Sequence, residues 1–212
     1  DDLPYPNAAL WNEDHIRDHA LMTEAVHSHG ALAGVELWFG GASSANHYTR
    51  ETAIDVASIP NLAGHPYQSR AMDKSDIREL RRWHREAALR AKEADFDIVY
   101  VYATHDYLLS NFLSAQTNLR ADEYGGSMEN RTRLLRELIE DTKDAVGDRC
   151  AVAVRYSVGG DDGEAQSLTQ ERRDGLEMLA ELPDLWDINI NNYYQEMGVS
   201  RFIKEGSLEE HM

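Results

Sequence analysis

Four times along this chain an amphipathic helical segment is followed by a short apolar run of strand length, and that rhythm restricts the fold more than any other feature. The first helix is predicted from about Glu13 to His29, with Ile16, Ala20, Met22 and Val26 near helical spacing, Asn12 as N-cap and Gly30 just past its end. Its strand is Ala31 to Trp38. The second helix starts at Asp73, with Asp76 three residues on as a box-like partner, and carries Ile77, Leu80, His84, Ala87, Ala88 and Ala91 along one face to about Ala94. Asp97 to Tyr102 is its strand. A third helix, about Met128 to Val146, closes at Gly147 and leads into Cys150 to Tyr156, and a fourth, about Gln170 to Leu182, passes Pro183 into Leu185 to Ile190. The order αβαβαβαβ implies an α/β fold with a parallel sheet, either an open doubly wound sheet or a (β/α)8 barrel, and four strands are too few to close the barrel.

The one long irregular stretch, about Phe39 to Ala71, begins at the C-terminal end of a strand, where both architectures build their sites. The chain opens on Asp1 and stops at Met212 within what reads as a helix start, so it is expected to be a piece of something longer. Of its 212 residues 42% are hydrophobic, enough for one buried core. Asp and Glu number 38 against 21 Lys and Arg, a net charge of -17, which makes nucleic acid and anionic membranes poor partners. No apolar run approaches the ~20 residues of a membrane helix and no signal peptide opens the chain, pointing to a soluble, cytoplasmic protein. The single Cys150, in an apolar run, reads as a buried inert thiol.

Side chains on a strand alternate between faces. In the third strand Ala151, Ala153 and Arg155 share one face and Val152 and Val154 the other, so small residues leading to a charge read as inward and branched ones as packed on helices. The same parity groups Gly34, Glu36 and Trp38 in the first strand and sets Tyr102 at the tip of the second, so Glu36, Tyr102 and Arg155 are expected to converge. A carboxylate and a guanidinium on apolar strands need each other or a ligand; a mutual salt bridge is the plain alternative to a binding site. Just past the second strand, Tyr102, His105 and Tyr107 place two phenols and an imidazole within six residues, a density that fits proton handling as well as it fits a hydrogen-bonded structural histidine.

Other patterns carry less. Gly125-Gly126, placed in a helix, and Gly159-Gly160 match neither the dinucleotide nor the phosphate-loop fingerprint, and Asp161-Asp162-Gly163 lacks the spacing of a calcium loop. His27 and His29 read as a solvated pair rather than metal ligands. The Asn130-Arg-Thr132 sequon reads as chance, and Trp11, Trp83 and Trp186 as core or rim aromatics.

The run from His105 to Arg133, with His-x-Tyr-Leu, then Phe-Leu, then Asn-x-Arg-x-Asp-x-Tyr-Gly-Gly-Ser and Asn-Arg-x-Arg, closely resembles the signature of the old yellow enzyme family (NADH:flavin oxidoreductase/NADH oxidase) of FMN-dependent oxidoreductases. Gly34-Val-Glu-Leu-Trp38 followed by Gly40-Gly41, Phe96 to Tyr102 and Leu185-Trp-Asp-Ile188 are most similar to its trimethylamine and dimethylamine dehydrogenase branch. The resemblance spans nearly the whole chain. It implies a partial FMN-binding (β/α)8 TIM barrel over residues 1–212 in which these strands are about the third to sixth. A flavin-linking cysteine would then fall before Asp1, and a 4Fe-4S cluster and a second nucleotide after Met212.

The resemblance also implies roles. Glu36 takes the place of a residue that bonds the flavin pyrimidine edge, and Arg155 that of an arginine whose fixed charge stabilises the reduced flavin. Tyr102 and His105 match the pair that faces substrate and would bind and deprotonate it; Tyr107 matches the proton-donating tyrosine of ene reductases. Asn118, Arg120, Asn130 and Arg131 are expected to be structural. Asn191 to Met197 departs from the branch, lacking its cage tryptophan and histidine-orienting aspartate, for which Tyr193 or Tyr194 and Glu196 are candidate replacements.

Oxidative N-dealkylation of a small secondary or tertiary amine is the function this implies. The alternative is an ene reductase reducing activated C=C bonds with NAD(P)H. A glycosidase barrel using Glu36 with Asp161 or Asp162, and an inactive partial barrel with exposed sheet edges, are the readings from outside that chemistry. A homo-oligomer is compatible with all of them.

Overall fold

The computed structural model describes residues 8–44, 46, 49–60, 67–158 and 170–189. Its elements are α1 (Asp14–His27), β1 (Gly34–Leu37), β2 (Ile54–Asp55), β3 (Arg70–Ala71), α2 (Lys74–Glu93), β4 (Ile98–Ala103), α3 (Leu108–Leu113), α4 (Met128–Arg131), α5 (Arg133–Val146), β5 (Ala151–Ser157), α6 (Gln170–Leu179) and β6 (Leu185–Asn189). The four strands expected from the sequence form one parallel sheet in the order β1-β4-β5-β6, each pair joined by a crossover through helix. The loop after β1 adds a separate two-stranded parallel pair, β2 and β3.

Local chemistry explains the element ends. Asp73 accepts from the Ser75 and Asp76 amides at 2.7 and 2.9 Å while Asp76 accepts from the Asp73 amide at 2.8 Å, a reciprocal cap that starts α2 where the sequence placed it. Asn12 accepts from the Asp14 and His15 amides at the head of α1. The third helix differs from expectation. It is broken at Thr132, whose buried hydroxyl donates back to the Met128 and Glu129 carbonyls and so separates α4 from α5. Gly125-Gly126 lies in the turn before α4, not in a helix; a Cβ on Gly125 would lie 2.1 Å from the Arg120 carbonyl oxygen, so the glycine serves a close backbone approach.

One face of the sheet is packed against helices. Val99, Val101, Val152, Val154 and Tyr156 have no exposed surface, and they meet Leu134, Leu135, Leu138 and Ile139 of α5 together with Ile77, Leu80, Ala88 and Ala91 of α2. Each such aliphatic side chain contributes roughly 1.5 to 3 kcal/mol on burial. α2 and α5 are also tied by Arg81, whose guanidinium forks onto Asp141 at 2.7 and 2.9 Å and reaches Glu137 at 3.2 Å. Cys150 is buried, its thiol donating to the Phe96 carbonyl and its pKa raised by burial.

Two expectations need correction. In α1 it is Thr23 that is fully buried, donating to the Ala20 and Ala94 carbonyls, while Met22 is exposed, because a hydroxyl with two carbonyl partners tolerates burial. His27 is not simply solvated: its Nε2 lies 2.8 Å from Asp97 Oδ2, which also accepts from the Ala33 amide and so links α1 to the start of β4. Trp11 and Trp83, read as core or rim aromatics, are exposed, so the core is not their place. No helix among the described residues is long and apolar enough to cross a membrane.

Candidate active site

The opposite face of the sheet is polar, and its rows follow from the strand register. Glu36 pairs with Tyr100 and Tyr100 with Ala153; Tyr102 pairs with Arg155 and Arg155 with Asp187; Ser157 pairs with Asn189. The parity read from β1 and β5 therefore holds, and Glu36, Tyr102 and Arg155 do converge. Arg155 Nη1 donates to Glu36 Oε1 at 2.7 Å, and its Cζ stands 5.8 Å from the centre of the Tyr102 ring.

The salt bridge is real but does not exhaust Arg155. Its Nε is buried with no hydrogen-bond partner among the described residues, the nearest carboxylate, Asp187, being 3.7 Å away. Burial works against the guanidinium charge, yet the hydrogen bond to Glu36 and the nearness of Tyr102 and Asp187 hold its pKa above the ordinary value. Burial, with Asp187 and Glu36 nearby, raises that of Tyr100. A half-buried cation whose Nε donor is buried and unmet, between two partly exposed carboxylates, suits a planar ligand that presents acceptors to Arg155 and a donor to Glu36. The pyrimidine edge of a flavin is such a ligand.

Past β4 the chain makes an unusual turn. His105 and Asp106, neither of them glycine, have φ of 60° and 55° in succession, a left-handed conformation that persists only where surroundings hold it. Asn111 Nδ2 and Ser43 Oγ both donate to the Asp106 carbonyl, at 3.2 and 3.3 Å. Asn111 also donates to Asp55 at 3.0 Å, and Asp55 accepts from the Ala42 and Val56 amides at 2.6 Å each. Asp55 is fully buried, and that burial pushes its pKa up to about 6 against the three hydrogen bonds. The long loop after β1 is thus pinned to the histidine turn through a buried carboxylate.

That turn assembles the proton-handling groups. Tyr102 Oη lies 2.5 Å from His105 Nδ1, and Asn189 Nδ2 lies 2.8 Å from His105 Nε2. Tyr107 stacks on Trp38 with ring centres 5.1 Å apart and stands 5.8 Å from Tyr102 and 6.2 Å from His105. All five residues singled out from the sequence, Glu36, Tyr102, His105, Tyr107 and Arg155, lie at this end or on this face of the sheet. Asp55, Tyr100, Asp187 and Asn189 were missed there. The signal for Asp187 and Asn189 was present, since they alternate with Trp186 and Ile188 in β6; Asp55 showed only as an acid in the apolar run Ala53 to Ala57.

The sequence matches the family described as NADH:flavin oxidoreductase / NADH oxidase over residues 5–202. The chain belongs to that family. Its fold is the family's (β/α)8 barrel, of which the described sheet forms four strands. The chain is 33% identical over 95% of its length to a dimethylamine dehydrogenase from Hyphomicrobium sp. (strain x), covering 29% of that protein. To an NADPH dehydrogenase from Halalkalibacterium halodurans it is 36% identical over 75% of its length, covering 46% of that protein. Among solved structures, 6-hydroxypseudooxynicotine amine oxidase from Pseudomonas geniculata N1 superposes with a TM-score of 0.89 and 45% identity over 99% of this chain and 32% of its own. The chain therefore spans less than half the length of each of these proteins.

Membership of a flavin oxidoreductase family leaves the glycosidase reading without support. The motif residues expected to be structural are so in the fold. Asn118 donates to the Phe112 and Tyr124 carbonyls, Arg120 to Asp122 and the Met72 carbonyl, and Asn130 to the Gly125 carbonyl; Arg131 binds the Leu113 and Gly126 carbonyls and Glu171. No group of three or more His, Cys, Asp or Glu among the described residues could hold a metal ion. Gly159-Gly160, Asp161, Asp162, Tyr193, Tyr194 and Glu196 lie outside the described residues.

Proposed function

We propose that the chain supplies the third to sixth strands of a complete flavin barrel whose substrate is a small secondary or tertiary amine. Bound FMN would supply the acceptor for a hydride equivalent from the carbon next to nitrogen; the resulting iminium would hydrolyse to a carbonyl compound and the dealkylated amine. Arg155 and Glu36 would hold its pyrimidine edge, the guanidinium stabilising added negative charge and the carboxylate accepting a hydrogen bond. Tyr102 and His105 would hold the amine, and Trp38 with Tyr107 would wall the pocket against water.

The observation that carries this reading is the Tyr102–His105 pair, at 2.5 Å, formed between the end of the strand that pairs with Arg155 and the turn that follows it. The similarity to a dimethylamine dehydrogenase and an amine oxidase supports it. A second reading, reduction of an activated alkene with Tyr107 as proton donor, is favoured by the similarity to an NADPH dehydrogenase. The whole protein, loaded with FMN and mixed anaerobically with secondary and tertiary methylamines, is expected to lose its oxidised-flavin absorbance. Bleaching by NAD(P)H, reoxidation by an enone and no response to amines would establish the second reading instead.

A further inference from the structure

Arg155 is flanked on the polar face by two carboxylates, and the two are not equivalent. Glu36, on β1, accepts a hydrogen bond from Nη1 at 2.7 Å. Asp187, on β6, is the register partner of Arg155 on the neighbouring strand, and its Oδ2 stands 3.7 Å from Nε, too far for a hydrogen bond. That Nε is buried and finds no hydrogen-bond partner among the described residues. Asp187 therefore lends charge to the guanidinium without occupying one of its donors. Both acids are partly exposed, so a contact this long adds little to the stability of the fold. The three side chains carry two formal negative charges against one positive. Tyr100, between Glu36 and Ala153 in the row of strand partners, registers the same excess: after burial, Asp187 and then Glu36 raise its pKa, and Arg155 acts least, in the opposite direction.

From this we infer that Asp187 tunes the flavin: acting through Arg155, its carboxylate offsets part of the guanidinium charge and so lowers the reduction potential of FMN held at the Glu36–Arg155 edge. This deepens, and rests on, the reading above in which Arg155 and Glu36 hold FMN. Uptake of two electrons and one proton adds one negative charge to a flavin; a cation beside it favours that change and an anion near the cation opposes it. The sign holds whatever other group reaches Asp187, because exchanging its carboxylate for an amide removes one negative charge in any surroundings. Asp187 is thus a positioning residue of the electrostatic kind, and its role requires no contact with flavin or substrate. A lowered potential makes the reduced flavin readier to pass its electrons on.

The test is the flavin midpoint potential, measured by equilibrating the FMN-loaded whole protein with a reference dye. Asp187→Asn is expected to raise it, corresponding to a gain of roughly two- to tenfold in affinity for reduced over oxidised FMN, the range for a partly exposed charge; tenfold is about 30 mV for a two-electron couple. Asp187→Glu, which keeps the charge, should leave the potential close to that of the unaltered protein. A potential that Asp187→Asn leaves unchanged or lowers overturns the proposal, as does an equal rise in Asp187→Glu. Failure of Asp187→Asn to fold or to retain FMN would make Asp187 a structural residue and overturn it too. Arg155→Ala separates the proposal from the reading beneath it. A potential lowered by Arg155→Ala but not raised by Asp187→Asn leaves FMN at this edge and removes the tuning alone; a potential that Arg155→Ala leaves unchanged removes both.

Discussion

The two faces of the four-stranded sheet are built on different principles. The helix-facing side is a continuous layer of mostly buried valines and leucines, in which many side chains share one task. The opposite side has single polar residues at fixed register positions, each with its own partners: Glu36 on Arg155, Tyr102 on His105, Asn189 on His105. A layer of interchangeable packing tolerates conservative change and punishes voids. A constellation of individual polar groups contributes little to stability and fails in function when one is lost.

That contrast predicts a graded series. Leu138→Ala on α5 should be the most damaging change, costing about 2 to 5 kcal/mol in urea-induced unfolding, since it opens a cavity in the helix-facing layer. A loss under about 1 kcal/mol would mean that the layer is not the chief support of the fold.

Next comes the pin between the long loop and the histidine turn. Asp55→Ala deprives the Ala42 and Val56 amides and Asn111 of an acceptor and should cost about 1 to 3 kcal/mol at pH 4. Burial raises the folded pKa of Asp55 to about 6, from an ordinary 3.8, so ionising it works against the fold. The stability it adds is therefore full below about pH 4 and declines as pH rises through 6. The deficit of Asp55→Ala should accordingly shrink between pH 4 and pH 7, as thermal unfolding at both would show; a deficit that grows would contradict the burial argument. Asp73 should behave oppositely. Its bonds to the hydroxyl of Ser75 and the amides of Asp76 and Ser75 lower its pKa to about 2, so its cap is present above the ordinary value and lost as pH falls through 2.

The smallest effect on folding should come from Asp187→Asn on the polar face. Its contact with Arg155 Nε is long and partly exposed, and the change should cost less than about 1 kcal/mol. A larger loss would show that this face, too, is held by its ion pairs.

Much of this contrast was legible in the sequence. Alternation in Ala151 to Arg155 separated the two faces of β5 because parity on a strand admits only two outcomes, and the Asp73–Asp76 spacing fixed the head of α2 because a cap needs only four consecutive residues. What could not be read depends on contacts distant in sequence. Asp55 meets Asn111, 56 positions away, and Asn189 meets His105, 84 positions away. Nothing local to either residue announces its partner. The break at Thr132 was hidden for another reason: threonine fits a helical pattern, and only the backward bond of its hydroxyl shows where the helix yields.

The central claim is that the polar face holds FMN through Arg155, and the flavin midpoint potential tests it most directly. In the FMN-loaded whole protein, Arg155→Ala should lower that potential and weaken flavin retention, because a charge-assisted hydrogen bond of roughly 1.5 to 3 kcal/mol to the reduced form is lost. Loss of about tenfold or more in FMN affinity is the corresponding expectation. A variant with the same potential and the same flavin content as the unaltered protein would contradict the account.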